Sequence, residues 1–391
     1  MYREPFGAVQ MGSTVSLAID VWDEPDARCS LRLWTDEKGE ELIDMVGERM
    51  DGFLRFSVSF SPEGPEIIWY SFRITAADGS VWRYGAACEH GCGEGAFVFG
   101  EPPSFQITVY DPEREIIPEW YKRGVVYQIF PDRFARGKGW REQVEADMAR
   151  PYTGPTRRLV EDWNAYPRYE KDASGRIAAW DFYGGTLEGI REKLPYLEGL
   201  GITIIYLNPI FSAASNHRYD TADYLHIDAA LGTEEDFSRL CADAASHGIS
   251  IILDGVFNHV GADSIYFNRA GIYPDLGAYQ GENSLYRSWF TFNEDGSYES
   301  WWGIDDLPAV REDCPEFREL ICGHDGVVRK WLRLGARGWR LDVADELSDE
   351  FLRDIKSAAL AEREDAVVIG EVWEDATNKY AYGTLRKYLL P

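Results

Sequence analysis

Ile249-Ser-Ile-Ile-Leu-Asp254-Gly-Val-Phe-Asn258-His259 is the stretch that decides the fold. Its first half is an almost unbroken run of aliphatic side chains, dominated by β-branched isoleucine. Such a run suits a strand buried on both faces, as in a parallel sheet covered by helices, and not a half-exposed strand, which alternates. Its second half turns abruptly polar, with an aspartate at the boundary. A carboxylate at the end of an apolar strand is costly unless it is paired or needed.

Working outward, similar runs recur on both sides. Upstream lie Gly124-Val-Val-Tyr-Gln-Ile-Phe130 and Ile202-Thr-Ile-Ile-Tyr-Leu207; downstream lie Trp339-Arg-Leu-Asp-Val343 and Val367-Val-Ile-Gly-Glu-Val372. Helical patterns over 186–200, 233–247 and 327–334 separate them. Strands alternating with helices in this order predict an α/β fold with a (β/α) TIM-type barrel arrangement. Five runs supply five strands of eight, so the expected barrel is incomplete, ending with its fifth strand and the start of the helix after it. The interval from about 260 to 325 is too long for a simple crossover and is rich in Trp, Tyr, Phe and Gly. It reads as an inserted subdomain on the carboxyl rim of the third strand, where active-site walls are built.

Residues 1–112 follow another period. Val15-Ser-Leu-Ala-Ile19, Ser30-Leu-Arg-Leu-Trp34 and Phe53-Leu-Arg-Phe-Ser-Val-Ser-Phe60 alternate in and out, with turn signals between them. This predicts an all-β sandwich domain over 1–112, followed by the barrel domain over 113–391.

The chain has 391 residues and a formal net charge of −27, from 67 acidic and 40 basic residues. Such a surface repels phosphate backbones, which argues against nucleic acid as a partner. No apolar stretch reaches membrane-spanning length, and the amino terminus has no secretory pattern. The six cysteines are too few for a disulfide framework, so reduced thiols and a cytoplasmic location are expected. Cys88-Glu-His90-Gly-Cys92 offers three metal-ligand types but no fourth, so no metal site is assigned.

The strand ends carry the chemistry. Asp254 closes the third run, Arg340-Leu-Asp342 the fourth, and Gly370-Glu371-Val-Trp373 the fifth. Arg340 and Asp342 are two apart on a strand and share a face. The guanidinium is therefore expected to lower the pKa of Asp342 and keep it ionised. Glu371 on the next strand can reach across. Two carboxyls roughly 5 Å apart, one attacking and one exchanging a proton, are what a retaining glycosidase requires.

These segments resemble the α-amylase family of glycoside hydrolases, nearest its neopullulanase and cyclomaltodextrinase branch. The carriers are Val126-Tyr-Gln-Ile-Phe-Pro-Asp-Arg-Phe134, Asn208-Pro-Ile-Phe211, Asn216-His-Arg-Tyr-Asp-Thr-Ala-Asp-Tyr224, 254–259, Gly338-Trp-Arg-Leu-Asp-Val-Ala344, Gly370-Glu-Val-Trp373 and Trp301-Trp-Gly-Ile-Asp-Asp-Leu-Pro308. The resemblance extends from about residue 118 onward, and more weakly over 1–110, which is similar to the starch-binding-type sandwich of that branch. It implies that Asp342 is the nucleophile and Glu371 the acid/base. It implies further that Arg340 orients the nucleophile, Asp254 supports that arginine, and His259 contacts the sugar at the cleavage site. Tyr219 would stack beneath that sugar with Asp220 nearby, and Trp373 could stack on a sugar too. Tyr206 and Asn208 read as strand-end packing, and Trp301 and Trp302 as either insertion core or glucan platform.

The implied substrate is an α-glucan: maltodextrin, cyclodextrin or pullulan. No organic cofactor is implied. Relatives carry Asn and Asp after the equivalent of Phe134, where calcium can bind; this chain has Arg136 and Lys138 there. A homodimer is compatible with the resemblance. The family's third acid, an Asp preceded by His after the seventh strand, has no counterpart, so the chain is expected to be truncated and impaired in isolation. A transglycosylase, a non-catalytic glucan-binding fragment, and a metal-dependent hydrolase using Asp254, His259 and Glu371 remain as other readings of the same residues.

Overall fold

The computed structural model describes residues 2–88, 93–98, 100–113, 117–150, 152 and 154–373, together with the backbone of 379–381 and 384–386. Two compact units emerge, one of Met1–Ile116 with Ala376–Pro391 and one of Ile117–Asp375.

The first unit is built on two sheets. One has Val15–Trp22 and Phe53–Phe60 at its centre, paired antiparallel along their whole length. The other is centred on Arg28–Thr35 and Ile67–Thr75. Val15, Leu17, Ile19 and Val21 point one way from the first sheet and pack with Leu31, Leu33, Ile68, Phe72 and Ile107 of the second. The alternation read from the sequence is the physical reason: each strand can bury only one face against its partner sheet.

The second unit has a parallel five-stranded sheet in strand order along the chain. Its strands are β1 (Val126–Ile129), β2 (Ile204–Leu207), β3 (Ser250–Gly255), β4 (Gly338–Leu341) and β5 (Val367–Gly370). Every residue of β3 is buried, which accounts for its aliphatic sequence. Helices Leu187–Glu192 and Leu194–Gly199 separate β1 from β2, Glu234–Ser246 separates β2 from β3, and Val327–Arg333 precedes β4. Thr233 caps Glu234–Ser246: its hydroxyl accepts from Asp236 N while the Asp236 carboxylate accepts from Thr233 N. This reciprocal pair satisfies amides that a helix start otherwise leaves open.

The 260–325 interval contains short 3-10 turns and one helix, Pro315–Cys322, but no sheet strand. Its aromatic residues form a packed interior. Phe267 lies 4.7 Å from Tyr298 and 4.9 Å from Phe290, ring centre to ring centre, and Tyr266 lies 5.1 Å from Trp289. Most of the composition signal in this insertion is thus core.

Two observations bear on the domain limits. The two units divide between Ile116 and Ile117, in the interval between the last sandwich strand, which ends at Tyr110, and the helix Glu119–Lys122. The expected start of a helix after β5 falls largely on residues outside the described ones. Lys379–Ala381 and Thr384–Arg386 pair antiparallel as a hairpin, and this stretch groups with the first unit. A hairpin satisfies its main-chain groups across two short strands and needs no apolar stripe at helical period.

Candidate active site

The register of the parallel sheet assembles the site. Asp254 is paired with Arg340 across β3 and β4, and Leu341 with Gly370 across β4 and β5. One residue beyond, Asp342 and Glu371 therefore leave their strands side by side. Main-chain bonds fix this step: Asp342 N donates to Gly255 O at 3.0 Å, Glu371 N to Leu341 O at 3.0 Å, and Ala344 N to Glu371 O at 2.9 Å.

Arg340 is the hub. Its Nη1 lies 2.7 Å from Asp254 Oδ1 and 2.8 Å from Asp342 Oδ1, and its Nη2 lies 2.6 Å from Glu371 Oε1. The other Glu371 oxygen accepts from Val343 N at 3.0 Å. Val343 has φ 45°, a left-handed conformation that a β-branched residue adopts only when its surroundings enforce it. Asp254 Oδ2 accepts from the Tyr219 hydroxyl at 3.0 Å and from the Tyr206 hydroxyl. Asn208 Nδ2 donates to the Tyr219 hydroxyl at 3.3 Å.

One guanidinium thus faces three carboxylates, and the expected lowering of the Asp342 pKa gives way to a rise. Arg340 does pull its pKa down, but burial and then the neighbouring Asp254 carboxylate push it up more strongly, with Glu371 adding to the rise. The result is a carboxyl raised to about 7. The sequence argument counted the cation two residues away and omitted desolvation, which favours the neutral acid. Asp254 is raised too, chiefly by burial against the pull of Arg340.

His259 is 2 % exposed. Burial lowers its pKa to about 4, so the imidazole is neutral at pH 7. Its Nε2 lies 3.2 Å from the Tyr219 carbonyl, which makes Nε2 the protonated nitrogen. Its Nδ1, and both side-chain polar atoms of Asn258, are buried and meet no hydrogen-bond partner among the described residues.

The remaining expected residues are placed as follows. Asp220 stands apart from the carboxylate cluster. It accepts from Ala214 N at 3.2 Å and Ser215 N at 3.0 Å, and lines a separate cavity of about 300 Å³ with Tyr152, Trp180 and Asp263. The Tyr219 hydroxyl is spent on Asp254. Trp373 is exposed and its ring lies 5.6 Å from that of Trp302.

Two contributors escaped the sequence reading: the Tyr206 hydroxyl and the Val343 amide. Tyr206 had one legible signal, a phenol inside the apolar run Ile204-Ile-Tyr-Leu207 two residues before a polar strand end. A main-chain donor such as Val343 N has no signature in side-chain identity.

Calcium does not fit the segment after Phe134. The Arg136 guanidinium already occupies it, donating to the carbonyls of Tyr183 at 2.8 Å, Glu161 at 3.1 Å and Val160 at 2.5 Å, and lying 4.0 Å from the Trp140 ring. Carbonyl oxygens are hard-cation ligands, but here they face a side chain that is itself cationic. Among the described residues no group of three or more His, Cys, Asp or Glu is arranged to hold a metal. Cys88-Glu-His-Gly-Cys92 lies largely outside the described residues. Among the described residues no helix is long and apolar enough to cross a membrane.

Residues 128–388 match the model of the α-amylase catalytic domain. The chain belongs to the α-amylase family. An amylopullulanase of Thermoanaerobacterium saccharolyticum is 38% identical over 96% of the chain and 31% of its own length. Neopullulanase 2 of Thermoactinomyces vulgaris is 38% identical over 66% of the chain and 40% of its own length. Among solved structures, a cyclomaltodextrinase superposes with a TM-score of 0.59 at 25% identity, covering 95% of this chain and 60% of that one. The type III pullulan hydrolase of Thermococcus kodakarensis gives 0.57 at 27% identity, covering 94% and 60%. The chain therefore spans about a third of the amylopullulanase and less than two thirds of these structures. The family fold, a TIM-type barrel catalytic domain with an additional sheet domain, accounts for both units.

Proposed function

We propose that this site hydrolyses α-glucosidic bonds in maltodextrins, cyclodextrins or pullulan with retention of configuration, Asp342 being the nucleophile and Glu371 the acid/base. The observation that carries the reading is the single guanidinium of Arg340 bridging both carboxylates. Groups bridged in this way lie within reach of the roughly 5–5.5 Å that a retaining pair spans. Asp342 attacks the anomeric carbon while Glu371 protonates the glycosidic oxygen. Glu371 then takes a proton from water as water displaces Asp342 from the glycosyl ester. Arg340 holds the anionic Asp342 in line, and Asp254 with Tyr206 and Tyr219 fixes Arg340. Neutral His259, with Nδ1 as an acceptor, suits a sugar hydroxyl.

The coverage of longer relatives supports reading β1–β5 as the first five strands of eight. On that reading residues 1–391 alone hydrolyse maltodextrin poorly, and the activity belongs to a protein that carries the whole barrel.

The test is covalent trapping in such a protein with a fluorinated glucosyl fluoride, which forms the glycosyl ester faster than water removes it. Mass spectrometry should find the label on the peptide containing Asp342, and proton NMR should show the α-anomer as the first product of maltodextrin cleavage. A label elsewhere, or a β-anomer as first product, overturns the assignment.

A further inference from the structure

An aromatic row runs along the rim of the site. It starts at His259 beyond β3, whose ring lies 5.3 Å from that of Trp301. Trp301 stacks on Trp302 at 5.3 Å with 21° between the planes. Trp302 meets Trp373, two residues after Glu371, at 5.6 Å. The row therefore links the ends of β3 and β5 by way of the insertion and passes the end of β4 between them. Trp302 and Trp373 are 66% and 58% exposed, far more than indoles that serve only as core.

What holds the central pair is Glu346. Its Oε2 accepts from Trp301 Nε1 at 2.9 Å and its Oε1 from Trp302 Nε1 at 2.7 Å. Glu346 sits in the 3-10 turn Ala344–Glu346, which begins two residues after Asp342. One carboxylate thus ties the insertion to the turn that carries the nucleophile. Trp302 also has φ 51°, a conformation that needs such an external tie.

We propose that Glu346 is a positioning residue that locks Trp301 and Trp302 into a rigid wall, and that this wall binds glucosyl units next to the bond being cleaved. The proposal rests on the glucan reading of the site. Two stacked indoles offer the flat, apolar faces that the C–H faces of a glucan cover, and a wall fixed in advance loses little entropy when a sugar docks. A carboxylate suits this place better than an amide. Both oxygens accept, whereas a glutamine would turn an N–H toward one indole N–H.

The experiment compares Glu346→Gln and Glu346→Ala with the parent, in the protein that carries the whole barrel. Maltoheptaose binding is followed by tryptophan fluorescence, and hydrolysis of maltoheptaose and of 4-nitrophenyl α-glucoside is measured alongside. Loss of the wall should weaken maltoheptaose binding and raise its KM about 10-fold with kcat changed little, while the short glucoside is affected much less. Glu346→Gln should already show much of the loss. Unchanged maltoheptaose binding in both variants overturns the proposal. An equal loss of kcat on both substrates also overturns it, because that places Glu346 in the chemistry or the fold. Should the parent bind maltoheptaose without cleaving it, the hydrolase reading fails while the wall still stands on its binding data.

Discussion

The barrel unit buries charge in two places, and they are built differently. Around Arg218, which is 1 % exposed, Nη2 pairs with Asp228 at 3.0 Å and Nη1 donates to the Asn216 carbonyl at 2.8 Å. Asp228 also accepts from Ala213 N and Ala230 N, each at 3.2 Å. Asp228 is the carboxylate bonded directly to Arg218, Asp132 and Asp147 also feel its charge, and Arg218 Nε is buried without a hydrogen-bond partner among the described residues. Around Arg340, one guanidinium meets three carboxylates, Asp342 is raised to about 7, and polar atoms of Asn258 and His259 go without partners among the described residues. Both clusters set one guanidinium among buried carboxylates, but Arg218 bonds directly to one of them and Arg340 to three. The lesson is that burial alone does not distinguish a structural charge from a reacting one; the number of carboxylates bonded directly to one guanidinium does.

The sharpest way to break this comparison is to remove the reacting groups. In the protein that carries the whole barrel, Asp342→Asn or Glu371→Gln should lower kcat on maltodextrin by about 1,000-fold or more, and initial-rate measurements would show it. A loss below about 10-fold would move the chemistry elsewhere.

Next in size is Arg218→Met. Leaving Asp228 buried without its guanidinium should destabilise the fold by about 3–5 kcal/mol, read from the denaturant midpoint. A variant of unchanged midpoint would mean that the Arg218–Asp228 pair does not hold the fold together.

The third prediction concerns pH. Asp342 has its folded pKa above its unfolded value, so between about 4 and 7 the native state binds the extra proton. Stability from this group is complete below the unfolded pKa and is lost as pH rises toward 7. Asp342→Asn, which cannot ionise, should therefore be more stable than the parent at pH 8, by about 1–3 kcal/mol, with the gap closing toward pH 4. Nucleophile ionisation should also give kcat/KM an acid limb near pH 7. His259 works in the opposite sense: its folded pKa, about 4, is below its unfolded value, so stability is lost as pH falls from about 6.5 toward 4. Thermal melts of parent and Asp342→Asn across pH 4–8 check both signs.

The smallest effect is local. Thr233→Ala removes the cap of Glu234–Ser246 and should cost about 1 kcal/mol without altering kcat.

Much of this was legible along the chain because it depends on local period. Val15 to Phe60 alternates, Ile249 to Leu253 does not, and these two patterns alone separate a sheet with one buried face from one with two. The end of each buried run marks where polar residues can stand, so Asp254, Arg340, Asp342 and Glu371 stood out before any contact was known. Within the insertion the same reasoning stopped short. Phe267 and Trp302 look alike as residues, yet one is core and the other is exposed.

Sequence by itself determined which side chains crown which strands, since that follows from residue type and from a two-residue repeat. Only the tertiary structure decided how they interact. The register placed Asp254 and Glu371 on the same guanidinium as Asp342, burial reversed the sign of the Asp342 shift, and a turn brought Glu346 beneath two indoles from a distant segment. Those outcomes depend on distances between segments and on exclusion of water, quantities that a linear order of residues does not carry.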